Sequence, residues 1–193
     1  MEDENSKIFL CYSMEYTIND YNEDLEKGNK DRIAEFFYNR FNERYIEPFE
    51  ENEKKNGFSM MAVACLMIEA LECFDQGLKE TPRKKGKQFF ENFFFRCDDL
   101  ADFRGLGFYK HIRCGILHQA ETTGGWKISR RGEIPLLNKS TKTINATKFL
   151  EQLKKYLINY RKKLEKEGFN GPIWLKFKKK MNTIIKNCQV KNK

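Results

Sequence analysis

Histidine is almost missing from this chain: His111 and His118 are the only two in 193 residues. No cluster of His, Cys and carboxylate at metal-ligand spacing exists, so no metal centre and no cofactor are expected. The six cysteines (Cys11, Cys65, Cys73, Cys97, Cys114 and Cys188) stand singly, with no C-x-x-C pair. That pattern argues against both a zinc site and a disulfide framework. Cys65 and Cys73 fall inside an apolar helical run, where a reduced thiol acts as a small hydrophobe. No P-loop, G-x-S-x-G or dinucleotide fingerprint occurs, which leaves nucleotide-triphosphate and acyl-transfer chemistry without support. The acidic N-terminus carries no positive stretch of the signal-peptide kind, so a cytoplasmic protein without a membrane partner is expected.

Rings and charge are plentiful instead. Phenylalanine occurs 17 times and aromatics make up 14% of the chain, so the core should be rich in rings. The net charge of +8 is unevenly spread. Residues 1–53 carry 6 basic and 15 acidic side chains, a net of −9, whereas residues 139–193 carry 16 basic and 3 acidic, a net of +13. A basic C-terminal third suits a polyanion such as nucleic acid. The same lysines also read as a solvated helix face.

Apolar spacing predicts mostly helices. The segment Ile8 to Tyr21 reads as a helix or partly ordered arm. Asp31 caps a predicted helix carrying Ile33, Phe36, Phe37, Phe41 and Tyr45, which should stop near Pro48. After a polar connection, Ser59 caps a buried helix from Met60 to Phe74, too short to span a bilayer and interrupted by Glu69. Lys87 to Cys97 is a Phe-rich helix, expected as core or dimer interface. Another helix runs from Asp98 and Asp99 through Tyr109, Ile112, Ile116 and Leu117 to Gly124-Gly125. The segments Trp126–Arg130 and Glu133–Leu137 flank Arg131-Gly132 like a β-hairpin. Thr143 to Ala146 reads as a short strand. A helix from Thr147 to about Lys166 and a basic one from Trp174 to Ile185 complete the chain. The expected class is all-α, an up-and-down bundle with a small appended hairpin. Its divisions are an acidic arm (1–29), a helical domain (30–167) and a basic helix and tail (168–193).

Both histidines lie in one stretch, Tyr109-Lys-His-Ile-Arg-Cys-Gly-Ile-Leu-His118, where Arg113 and His118 form R-x4-H. Five residues along an ideal helix turn through roughly 500°, leaving these side chains about 140° apart. They share no face unless the helix distorts, which Gly115 would permit, or unless they meet partners across an interface. Glu69, in its apolar run, needs a partner, and Arg113 is a candidate. His111, two residues from Arg113, should point elsewhere and sit at the surface.

This block resembles the HEPN superfamily, in which R-x4-H on the penultimate bundle helix marks ribonucleases. Phe108, the run Arg113-Cys-Gly-Ile-Leu-His118, Trp126 and the turn Arg130-Arg131-Gly132 look like a bacterial branch of stand-alone or defence-linked proteins. The apolar helix with Glu69 fits too, and the likeness runs over roughly residues 30–165. It implies an all-α domain that dimerises with two R-x4-H motifs facing one cleft. It implies metal-independent cleavage of RNA, with the 2′-hydroxyl attacking the neighbouring phosphorus to give a 2′,3′-cyclic phosphate and a 5′-hydroxyl. His118 would move protons and Arg113 would neutralise the phosphoryl oxygens, with Glu69 and Cys114 in support. Lys127, Arg130 and Arg131 would touch RNA phosphates, or form a solvated tip.

Two departures stand out. Cys114 occupies a position where many active members have Asn, Asp or His, and a thiol is a poor hydrogen-bond partner. Gln119-Ala120 follows His118, so the Tyr of toxins modified by a nucleotidyltransferase antitoxin is missing. The expectation is a homodimeric endoribonuclease, a toxin or phage-defence effector, with an antitoxin or defence-system protein as a further partner. The rival is a non-enzymatic helical module that binds nucleic acid or a protein.

Overall fold

The computed structural model describes residues 7–50 and 56–189. Most of the polar connection after Glu50 and the Lys-rich end lie outside the described residues. Mostly helical, the chain divides into two compact units. The first gathers the described residues up to Arg44 with Cys73–Lys79 and those from Leu157 onward; the second holds Tyr45–Glu72 and Glu80–Tyr156. These limits differ from the divisions at 29/30 and 167/168, because the arm and the last helix pack in one unit.

In the first unit the arm forms a hairpin of β1 (Phe9–Cys11) and β2 (Tyr16–Thr17), not the helix or loose segment expected over Ile8–Tyr21. Helix α1 (Ile18–Lys27) follows, opened by a capping box: Asp20 N–H donates to Thr17 Oγ1, and Thr17 N–H donates back to the Asp20 carboxylate. Glu43 holds the hairpin turn by accepting from the backbone N–H groups of Tyr12 (3.2 Å) and Ser13 (2.9 Å). Helix α2 (Lys30–Phe41) begins after Asn29 and carries Ile33, Phe36 and Phe37 inward. It stops at Phe41, before the expected end near Pro48. A π-helical turn, Asn42–Ile46, leads into α3 (Glu47–Glu50). A wider turn gives room for the Pro48 ring, which would crowd the carbonyl four residues earlier in a regular helix.

Helix α7 (Ala146–Lys166) ends in this unit and α8 (Pro172–Cys188) packs within it. Trp174, Phe177 and Met181 are fully buried, and the Trp174 indole N–H donates to Leu164 O at 3.0 Å. The basic last helix is therefore a core element, with Pro172 at its first turn where a missing N–H does no harm. Phe37, Phe74, Tyr160 and Phe177 meet with ring centroids 4.9 to 5.5 Å apart.

The second unit contains most of α4 (Gly57–Gln76). This helix starts two residues before Ser59 and reaches 20 residues, so it is long and apolar enough to cross a membrane, contrary to the shorter span expected. Just over half of its most apolar window (56%) is buried inside the fold, as in the core helix of a globular protein. Helix α5 (Gly86–Arg96) buries Phe89, Phe90, Phe93 and Phe94. Phe95 alone faces out, with the Arg104 guanidinium 5.7 Å from its ring.

The helix expected from Asp98 to Gly124 is three pieces: a 3-10 stretch (Asp98–Phe103), a π turn (Tyr109–Arg113) and α6 (Cys114–Gln119). Gly105 and Gly107, at φ +72° and +71°, break the first from the rest. The hairpin around Arg131-Gly132 is absent as well. Strand β3 (Lys127–Ser129) pairs in parallel with β5 (Thr143–Asn145), and β4 (Leu137–Asn138) joins the other edge of β5, antiparallel. The hairpin is thus β4–β5, its turn held by Asn138 Oδ1, which accepts from Ser140 Oγ and Thr141 N–H.

Candidate functional site

Arg113 ends the π turn and His118 sits in α6, both in the second unit. The Arg113 Nε donates to Glu69 Oε1 at 3.0 Å, and Glu69 Oε2 accepts from Thr81 Oγ1 at 2.9 Å. Both partners are about four-fifths shielded, with side chains 22% and 20% exposed. Partial burial works against the guanidinium charge, but the Glu69 carboxylate outweighs it and the Arg113 pKa rises. The Arg113 guanidinium carbon also lies 5.6 Å from the Tyr109 ring centroid. One carboxylate oxygen takes Nε and the ring lies beside the guanidinium, and its two NH2 groups have no acceptor among the described residues.

Cys114 is half-buried and hydrogen-bonds the Tyr109 hydroxyl; burial first, then this thiol, push the Tyr109 pKa up. Burial also pushes up the Cys65 thiol, which lies under the same group of charges. His118 is exposed and makes no hydrogen bond or ion pair among the described residues. Arg113 closes the π turn and residues Cys114–Gln119 are regular α-helix, in which ideal spacing sets positions 113 and 118 about 140° apart. Gly115 does not distort it. A Cβ there would stand 2.6 Å from Glu121 O, so Gly115 lets the loop after α6 cross close to the helix.

That loop seats His111, which is half-buried instead of lying at the surface. Its Nδ1 is 2.8 Å from Thr123 Oγ1, its carbonyl accepts from Thr123 N–H at 2.9 Å, and Gly107 and Gly124 flank the ring. Held at Nδ1 and closely approached by two glycines, it is a structural histidine.

Of the basic residues, Lys127 and Arg131 are exposed. Arg130 is engaged inside the fold, with Nε donating to Thr147 Oγ1 at 3.2 Å and an NH2 group donating to Asn56 Oδ1. The lysines of α7 and α8 at 162, 163, 166, 176 and 179 are exposed too. Among the described residues no three His, Cys, Asp or Glu side chains cluster to hold a metal ion.

Sequence reasoning passed over the apolar surface of α4. Outward positions of α4 at 62, 63, 66 and 70 are Ala, Val, Leu and Ala, and Leu66 is 54% exposed. On α6, next to His118, Leu117 is 59% exposed. The signal was present as the all-round apolar character of α4, which reads equally as complete burial. Comparison with family models, with curated proteins and with solved structures finds no match to this chain.

Proposed function

We propose that the protein is a metal-independent endoribonuclease of the HEPN type, working as a homodimer with Arg113 and His118 as its catalytic pair. The observation that carries the reading is a guanidinium oriented by Glu69, its NH2 groups without an acceptor among the described residues, five residues from an exposed, uncommitted imidazole. An arginine so placed matches two phosphoryl oxygens as they gain charge. A solvent-facing histidine can move protons near neutral pH. The 2′-hydroxyl would attack the adjacent phosphorus and expel the 5′-oxygen, leaving a 2′,3′-cyclic phosphate.

In-line cleavage needs one group to accept a proton and another to donate one, and each chain offers a single exposed histidine. A two-fold axis near α6 would supply the second copy, with Leu66 and Leu117 as apolar contacts. It would also bring each Arg113 toward the His118 of the other chain, which the diverging side chains of one α6 do not achieve. Biologically, such an activity suits a toxin or phage-defence effector acting on cellular RNA.

The test is incubation with RNA, and with DNA of the same sequence, in excess EDTA. RNA should be cut to 2′,3′-cyclic phosphate ends and DNA left whole, because DNA lacks the nucleophile. Intact RNA, or cleavage only with a divalent ion, would remove the proposal. A second reading, a non-catalytic nucleic-acid- or protein-binding module, is favoured by Cys114, a thiol that is a poor hydrogen-bond partner.

A further inference from the structure

Where α4 starts it passes close to β3: a Cβ on Gly57 would stand 3.0 Å from Ile128 Cγ2 and 3.5 Å from Arg130 Cγ. Beside this contact lies a cavity of about 470 Å³ lined by Gly57, Phe58, Ile128, Ser129, Arg130 and Arg131. Its size falls in the range of small-ligand pockets. Arg130 is bound into the fold and forms a wall. Phe58 and Arg131 are not so committed. The Phe58 ring is 37% exposed and stacks on no other ring, and the exposed Arg131 guanidinium has no acceptor among the described residues. A bare ring beside an unpaired guanidinium suits a nucleotide, whose base can stack on the one while its phosphate binds the other.

The placement of this cavity matters more than its contents. Phe58 and Glu69 are eleven residues apart on α4. Eleven residues turn through about 1100°, within about 20° of three full turns, and rise about 16 Å. Phe58 therefore lies on the same face of one helix as the carboxylate that holds Arg113. Between them Ala62 stands about 40° and the exposed Leu66 about 80° round the helix from Phe58, with the buried Cys65 close to the line joining the two ends, and none of the three carries a charge to repel a nucleic-acid strand.

We propose that the cavity at the start of α4 is a nucleotide subsite for the RNA strand, with Phe58 stacking a base and Arg131 holding a phosphate, a few nucleotides from the bond cut at Arg113 and His118. This rests on the ribonuclease reading and deepens it. The subsite selects a single strand long enough to span both places, and it reads base and phosphate but not the 2′-hydroxyl, so the choice of RNA over DNA falls to the cleavage step.

The test uses the full-length His118→Ala protein, which should bind without cutting, and the fluorescence anisotropy of labelled RNA dinucleotide, RNA octamer and DNA octamer. Adding Phe58→Ala or Arg131→Ala should weaken binding of either octamer at least about fivefold and leave the dinucleotide unchanged. Phe58→Trp should keep octamer affinity, and Phe58→Leu should not. In the cleaving protein the same changes should raise KM for the octamer at constant kcat. Equal octamer affinity in all variants, or Leu serving as well as Trp, would overturn the subsite. If the parent cuts RNA while the variants match it, the subsite alone falls. If octamer binding depends on Phe58 and nothing is cut, the ribonuclease reading falls and the nucleic-acid site stands. If no octamer binds, the subsite is refuted whatever the cleavage assay gives.

Discussion

Arg113 takes its direction from Glu69, and Glu69 is steadied in turn by Thr81. Replacing the carboxylate with a neutral amide of the same shape isolates this role. Glu69→Gln should lower kcat by about tenfold, a fraction of a removed phosphoryl-stabilising donor, with RNA affinity nearly unchanged. Single-turnover kinetics beside equilibrium binding separates the two; equal losses in both would make Glu69 merely structural. A different carboxylate governs the arm. Burial opposes the charge of Glu43, but hydrogen bonds from Ser13, Tyr12 and Cys11 outweigh it and hold its pKa below the usual glutamate value. A depressed folded pKa means stabilisation fully present above about pH 4.3, the ordinary glutamate value, and lost as pH falls through the lower folded value. Glu43→Gln should therefore destabilise the protein at pH 7 and lessen the acid-induced loss. Urea melts of both proteins at pH 7 and pH 3 check this, and parallel pH dependences would contradict it.

Helices were legible in the sequence wherever a single apolar stripe repeats at helical spacing, as in α2, α5 and α7. Irregular turns were not. Tyr109, Ile112 and Ile116 satisfy the spacing of a regular helix, so nothing announces the π turn that ends at Arg113. The sheet was misread for a related reason. Arg131-Gly132 carries a strong turn signal, yet the Asn145 amide, donating to Arg131 O and Ile134 O, ties that loop down and leaves β5 to pair with β3. Such a contact joins residues 14 and 11 positions apart and is invisible to local patterns. Likewise Glu69 could be matched to Arg113 because a carboxylate in an apolar helix needs a partner, whereas the seat of His111 depends on glycines whose φ no sequence states. At this scale Gly115 is the sensitive position. Gly115→Ala would press a methyl against the Glu121 carbonyl, 2.6 Å away, and should destabilise the second unit by about 1–3 kcal/mol. Thermal denaturation gives the number; an unchanged Tm would mean the loop moves aside without strain.

At the scale of the whole molecule, one chain offers one exposed histidine for a reaction that needs two proton transfers. A shared cleft predicts dominance. His118→Ala mixed in excess with the parent under conditions of subunit exchange should lower activity as about the square of the parent fraction, because each hybrid cleft holds a single histidine. A fully active protein that remains monomeric by light scattering would refute sharing. Charge at this scale supports the same substrate, since the exposed lysines of α7 and α8 stand on helices whose opposite faces are core. Most direct, however, is a comparison of parent, Arg113→Ala and His118→Ala on one RNA in EDTA, with circular dichroism confirming that all three are folded. The account predicts cyclic-phosphate products from the parent and a fall of at least about 100-fold in each variant. Two folded variants that cut RNA as the parent does would contradict it.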